Sequence, residues 1–199
     1  PPVISFYWEH SRKKALTLYS IYFCPHCEEA FFVDGPISSG SHSFSNYAEH
    51  QSFISHIYPS GRFLTSFSDE ISSLSNSFVE LYHQSETAES EGLLGICGMG
   101  YRKSLEFLIK DYAIYKHHDQ CAAVESSSLS QCIATYIADE RIKSLAKAAA
   151  WLGNDESHYV KKHSSYDLKD LKAFIAATVS FIQYDLSYQS ALDLLSSPK

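Results

Sequence analysis

Ser68-Asp69-Glu70-Ile71-Ser72-Ser73-Leu74-Ser75-Asn76-Ser77-Phe78-Val79-Glu80-Leu81-Tyr82 is where this chain changes its period. Ile71, Leu74, Phe78, Leu81 and Tyr82 recur at helical spacing and share one face, with Ser68 or Asp69 available as N-cap. Downstream the same period continues. Leu105, Leu108, Ile109 and Tyr112 make one stripe; Leu129, Cys132, Ile133, Tyr136 and Ile137 make a second. Ile142, Leu145, Ala146, Ala149 and Leu152 follow, then Leu168, Leu171, Ile175, Thr178, Val179, Ile182 and Leu186. The pattern predicts helices over 68–86, 92–116, 128–152 with a break around Asp139, and 166–187. Residues 85–91 and 117–128 read as polar breaks. Gly92, Gly95, Gly98 and Gly100 weaken helix propensity at about 1 kcal/mol each, and their spacing points to a closely approaching neighbour helix.

Upstream of Ser68 the composition is that of strands. Val3–Trp8 and Ala15–Phe23 are rich in β-formers, with a polar 9–14 stretch between them suited to a hairpin loop. A third candidate strand, Ala30–Val33, ends at Asp34-Gly35-Pro36, and residues 37–68 read as a long irregular connection. The expected fold is therefore mainly α, a bundle of four to five helices behind a small antiparallel β module. The expected division is 1–57 for the β-rich part with its connection and 58–199 for the bundle.

Composition bounds the function. A chain of 199 residues with 45% hydrophobic and 14% aromatic content builds a real core, which excludes a disordered protein. A net charge of -7 argues against a general electrostatic grip on phosphate backbones while leaving room for a local basic patch. No apolar run reaches the roughly 18 to 20 residues that span a bilayer. Pro1-Pro2-Val3-Ile4 has neither a basic n-region nor a signal-type apolar segment, and the lack of an initiator methionine raises the expectation of residues upstream. Five irregularly spaced cysteines point to a reducing, cytoplasmic setting.

Three sequence features carry candidate chemistry. Cys24-Pro25-His26-Cys27 is half of a zinc ribbon, because two thiolates two residues apart can wrap one tetrahedral ion. His10 or an upstream residue would have to complete the site; the other reading is a vestigial knuckle whose cysteines only pack. Arg102 and Glu106 stand four apart on one helix face, either as a buried polar pair that orients the bundle or as a solvated pair. His158 follows Gly153-Asn154. There the glycine is expected to end a helix with positive φ and the asparagine to cap the next segment, so that His158 is aimed into a groove or a symmetric interface. Arg141, Lys143, Lys147, Lys161, Lys162 and His163 form a modest basic surface around it or, by default, a solvated face.

With these residues in view, the chain resembles the bacterial domain-of-unknown-function family 4145, within the wider HEPN helical superfamily. The resemblance covers roughly residues 58–188. It rests on Tyr58-Pro59, on Arg102-Lys103-Ser104-Leu105-Glu106 with Leu108, and on Trp151-Leu152-Gly153-Asn154 followed by His158. Cys24-Pro25-His26-Cys27 resembles the cysteine-rich segment that often precedes this domain. The resemblance implies an up-down bundle, a homodimer, and a place in bacterial defence or restriction-associated systems. Active relatives cut RNA without metal, using an arginine four to six residues before a histidine. Here the window 152–157 holds no arginine, and Ala150 stands where relatives carry one. It does hold Asp155 and Glu156, two carboxylates that would repel phosphate. The expectation is a non-catalytic module that binds a protein partner or nucleic acid, RNA or DNA. The alternatives are a metal-independent RNase in which Arg102 or Arg141 serves His158 from a distance, and a zinc-stabilised structural module.

Overall fold

The computed structural model describes residues 2–10, 15–25, 28–36, 54–58 and 64–196. The chain separates into two compact units, Pro1–Phe63 and Leu64–Lys199. The first carries a four-stranded antiparallel meander, β1 (Ile4–His10), β2 (Ala15–Phe23), β3 (Ala30–Pro36) and β4 (His56–Tyr58), in the order β1-β2-β3-β4. Phe6 pairs with Tyr19, Ile21 with Phe32, and Phe32 with Tyr58. This register lines aromatic rings across one face, with Phe6, Tyr19 and Phe32 stacked at 5.3 and 5.7 Å. Cross-strand aromatic pairs of this kind stabilise a small sheet that has little core of its own. Ser20, Val33 and Gly35 are buried on the opposite face.

β4 corrects two expectations. The 37–68 stretch is not wholly irregular, because His56–Tyr58 returns to pair with β3, where the Asp34 carboxylate meets His56 Nδ1 at 2.7 Å. Tyr58 consequently belongs to the sheet, and the boundary lies after Phe63 and not before Tyr58.

The second unit holds α1 (Asp69–Leu74), α2 (Asn76–Ser90), α3 (Leu94–Lys116), α4 (Cys121–Ser126), α5 (Leu129–Tyr136), α6 (Glu140–Asp155) and α7 (Leu168–Ser196), with a 3-10 turn at His118–Gln120. The mainly α class with a small antiparallel sheet stands. Caps set three of the starts: Ser68 accepts from Ile71 N, Ser128 from Gln131 N, and Asp139 from Arg141 and Ile142 N. The core is formed by Ile71, Phe78, Tyr101, Leu105, Ile109, Ile142, Leu171 and Ile175 with their neighbours. No helix among the described residues is long and apolar enough to cross a membrane.

Among the described residues there are seven α-helices, two of them only six residues long, where the period predicted four or five. The 68–86 helix is split at Ser75, whose hydroxyl donates to the Asp111 carboxylate on α3 instead of continuing the helix. α2 then runs through 85–90, read as polar, because Glu89 accepts from Tyr101 Oη at 2.6 Å and from Lys172 Nζ at 2.8 Å. Burial raises the Glu89 pKa, but Lys172 and Tyr101 outweigh it and hold the carboxyl below its ordinary value. Gly100 serves the same junction. A β-carbon there would lie 2.3 Å from Ser85 Oγ, so α2 and α3 approach as the glycine spacing predicted. Residues 117–128 contain α4, and α7 extends past residue 187 to Ser196.

Candidate functional site

The candidate site is the corner where α6 ends against α3. Gly153 lies inside the last turn of α6, which continues to Asp155 and is capped by Glu156. The expectation of a left-handed terminus at Gly153 is therefore wrong; among the described glycines only Gly92 has positive φ. The physical reason is close approach. A β-carbon on Gly153 would sit 2.4 Å from Arg102 Cβ, so this residue lets α3 and α6 touch.

That approach brings four of the sequence-selected residues together. Arg102 Nε donates to Asn154 Oδ1 at 2.6 Å, and Arg102 Nη1 lies 3.7 Å from Glu106 Oε2. The Asn154 side chain receives Arg102 and does not cap the next segment. Glu106 is shared, with Lys103 and Lys110 each 3.4 Å from its carboxylate. Both Arg102 and Glu106 are half-buried. The guanidinium is thus occupied by an amide and a carboxylate from its own chain.

His158 is not drawn into this group. Its side chain is exposed, and its backbone N–H donates to Asp155 O at 3.4 Å. Arg141 is also remote. It lies in the first turn of α6, a helix length of roughly 20 Å from the corner, where it pairs with Asp139 at 2.7 Å and covers the Phe181 ring.

The histidine that the fold does fix is His163. Asp155 is buried, and its Oδ2 accepts from Lys162 N at 3.1 Å, His163 N at 2.7 Å and His163 Nδ1 at 2.9 Å. Burial raises the Asp155 pKa, but these three donors outweigh it and keep the carboxyl below its ordinary value. The His163 ring stacks on Trp151 at 5.6 Å and 14°, and Lys147 Nζ lies 5.1 Å over the same indole. Neither carboxylate here presents a free negative charge: Asp155 is consumed by the loop, and Glu156 pairs with Lys161 at 2.5 Å. Between these anchors the tip is open, with Tyr159 104% and Val160 70% exposed. The spacing Lys147, Trp151, Asp155 marks one stripe of α6 and is readable from sequence; nothing periodic ties His163 to it.

For zinc, only Cys24 of the candidate pair is described, and Cys27 lies outside the described residues, as does the His10 side chain. Cys24 closes the β2–β3 turn: its N–H donates to Glu29 O and its carbonyl accepts from Glu28 N, both at 2.9 Å, with Glu28 left-handed at φ 59°. Among the described residues no group of three or more His, Cys, Asp or Glu side chains is placed to hold a metal ion. The zinc expectation, which needs Cys27 and the His10 side chain, therefore lies outside the described residues. Cys97 and Cys132 are buried in the bundle, where burial pushes both thiols up and away from reactivity.

No protein-family model matches the chain, and no curated protein or solved structure is significantly similar to it.

Proposed function

We propose that the helical unit is a non-catalytic binding or regulatory module of the HEPN-like kind, acting as a homodimer in a bacterial defence or restriction-associated setting. The observation that carries this reading is the loop 156–163. It is pinned at its far end by three hydrogen bonds to one buried carboxylate, yet it presents Tyr159 and Val160 to solvent. Rigid loops with large exposed side chains are contact elements, because little conformational entropy is lost when a partner covers them. Catalysis by Arg102 is disfavoured by its own partners. Its guanidinium answers to Asn154 and Glu106, and a developing phosphorane charge would have to displace both.

Sedimentation velocity tests the reading. The wild type is expected to sediment as a dimer, and Tyr159→Ser with Val160→Ser is expected to shift it toward monomer without lowering its melting temperature. A wild type that stays monomeric at all concentrations would remove the dimer, and an unshifted variant would remove the loop from its interface.

A further inference from the structure

The sheet unit turns an aromatic face to water. Cross-strand register sets Phe6 beside Tyr19 and Phe32 beside Tyr58, and strand alternation adds Ile4, Trp8 and Phe23 to the same side. Ile4, Phe6, Trp8, Phe23 and Tyr58 are all exposed, Trp8 at 60%. Single exposed apolar side chains are ordinary on a protein surface, but these are contiguous across four strands. The covered residues of the sheet, Ser20, Val33 and Gly35, lie on the opposite face.

Charge narrows what can lie on this face. Among its described residues the one formal charge is Asp34, and His56 Nδ1 meets that carboxylate at 2.7 Å. Residues 1–63 carry four lysines and arginines against five aspartates and glutamates, so the unit has no electrostatic footprint for a phosphate backbone. A neutral apolar face is matched by another like it. The same patch on a second copy meets that condition, because a two-fold contact sets like against like and here brings no unpaired charges together.

Size sets the strength of such a contact. At about 4.8 Å between strands and about 3.4 Å per residue, four strands of mostly seven residues span about 19 Å by 24 Å, on the order of 450 Å² in projection. A standard stable interface covers roughly 800 Å² per partner. The face alone is therefore a weak contact, and it holds between chains that are already tied at a second place.

We propose that the aromatic face of the sheet unit packs on the same face of a second copy, sheet on sheet about 10 Å apart, as a second contact of the homodimer. The proposal rests on the dimer reading and adds to it an interface in the other unit.

The test uses the full chain with Trp151→Phe, which leaves Trp8 as the one tryptophan. Its emission is followed through a dilution series alongside sedimentation. Trp8 is expected to emit to the blue in the dimer and to shift red as dilution produces monomer. In the wild-type background, Trp8→Lys with Phe23→Lys charges the face while leaving the Phe6–Tyr19–Phe32 stack in place. Self-association should weaken by about tenfold or more. A dimer whose Trp8 emits as an exposed indole at every concentration would overturn the face and leave the loop contact standing. Unchanged association in a lysine variant with native circular dichroism would overturn it too. Should that variant lose its sheet, the emission series, which alters nothing on the face, decides alone. A wild type that is monomeric throughout would remove the dimer reading and this proposal with it.

Discussion

At the scale of single residues the corner depends on a missing side chain and a buried carboxylate. Gly153→Ala would place its new carbon against Arg102 Cβ, near the backbone, where the neighbour cannot swing away. A loss of about 1–3 kcal/mol is expected from such overpacking, measured as a lowered urea midpoint at unchanged slope. Asp155 makes a prediction about pH. Its folded carboxyl titrates below the unfolded one, so the stability it provides is complete above the unfolded value of about 3.9 and disappears as pH falls through the lower folded value. Asp155→Asn should therefore melt below the wild type at neutral pH, and the two melting temperatures should converge as pH is lowered through the folded carboxyl's titration. A gap that is constant with pH would assign the effect to shape instead of charge. Arg102 and Glu106 are legible as a pair because they stand four apart on one helix face. Gly153 reads instead as a helix end and Asn154 as a cap, and spacing does not show their close contact with Arg102. His163 is not legible either, since it reaches Asp155 by a loop that folds back, and chain spacing says nothing about such a return.

At the scale of elements, caps decide where helices begin. Asp139 accepts from two backbone N–H groups of α6, and its pKa is held near about 2, chiefly by the Arg141 side chain against a smaller effect of burial. Asp139→Ala is expected to cost about 0.5–2 kcal/mol, read from chemical denaturation. The helical period located α3, α5, α6 and α7, because each buries a continuous apolar stripe. It missed the split between α1 and α2, which is made by one hydroxyl reaching Asp111, a tertiary contact that competes with propensity. It also ended α2 and α7 too early. Polar residues at 85–90 remain helical because Glu89 is tied to α3 and α7, and the last turns of α7 are helical although their residues are exposed. β4 escaped notice for a simpler reason: three residues are too few for an alternation to register.

At the scale of the molecule, the helical unit has its own core, and the sheet unit is held by cross-strand aromatic pairs. Residues 64–199 expressed alone should keep a helical circular-dichroism spectrum and a single cooperative melt. A broad, non-cooperative transition would mean that the bundle needs the sheet unit to fold. The proposal for the whole is that this bundle binds and does not cut, with Arg102 engaged by Asn154 and Glu106 and His158 exposed on the loop. The measurement that addresses it most directly is cleavage of a labelled single-stranded RNA by purified full-length protein in a metal chelator. The expected result is no cleavage above the buffer control, in the wild type and in Arg102→Ala and His158→Ala alike. Robust cleavage by the wild type that is lost in either variant would contradict it.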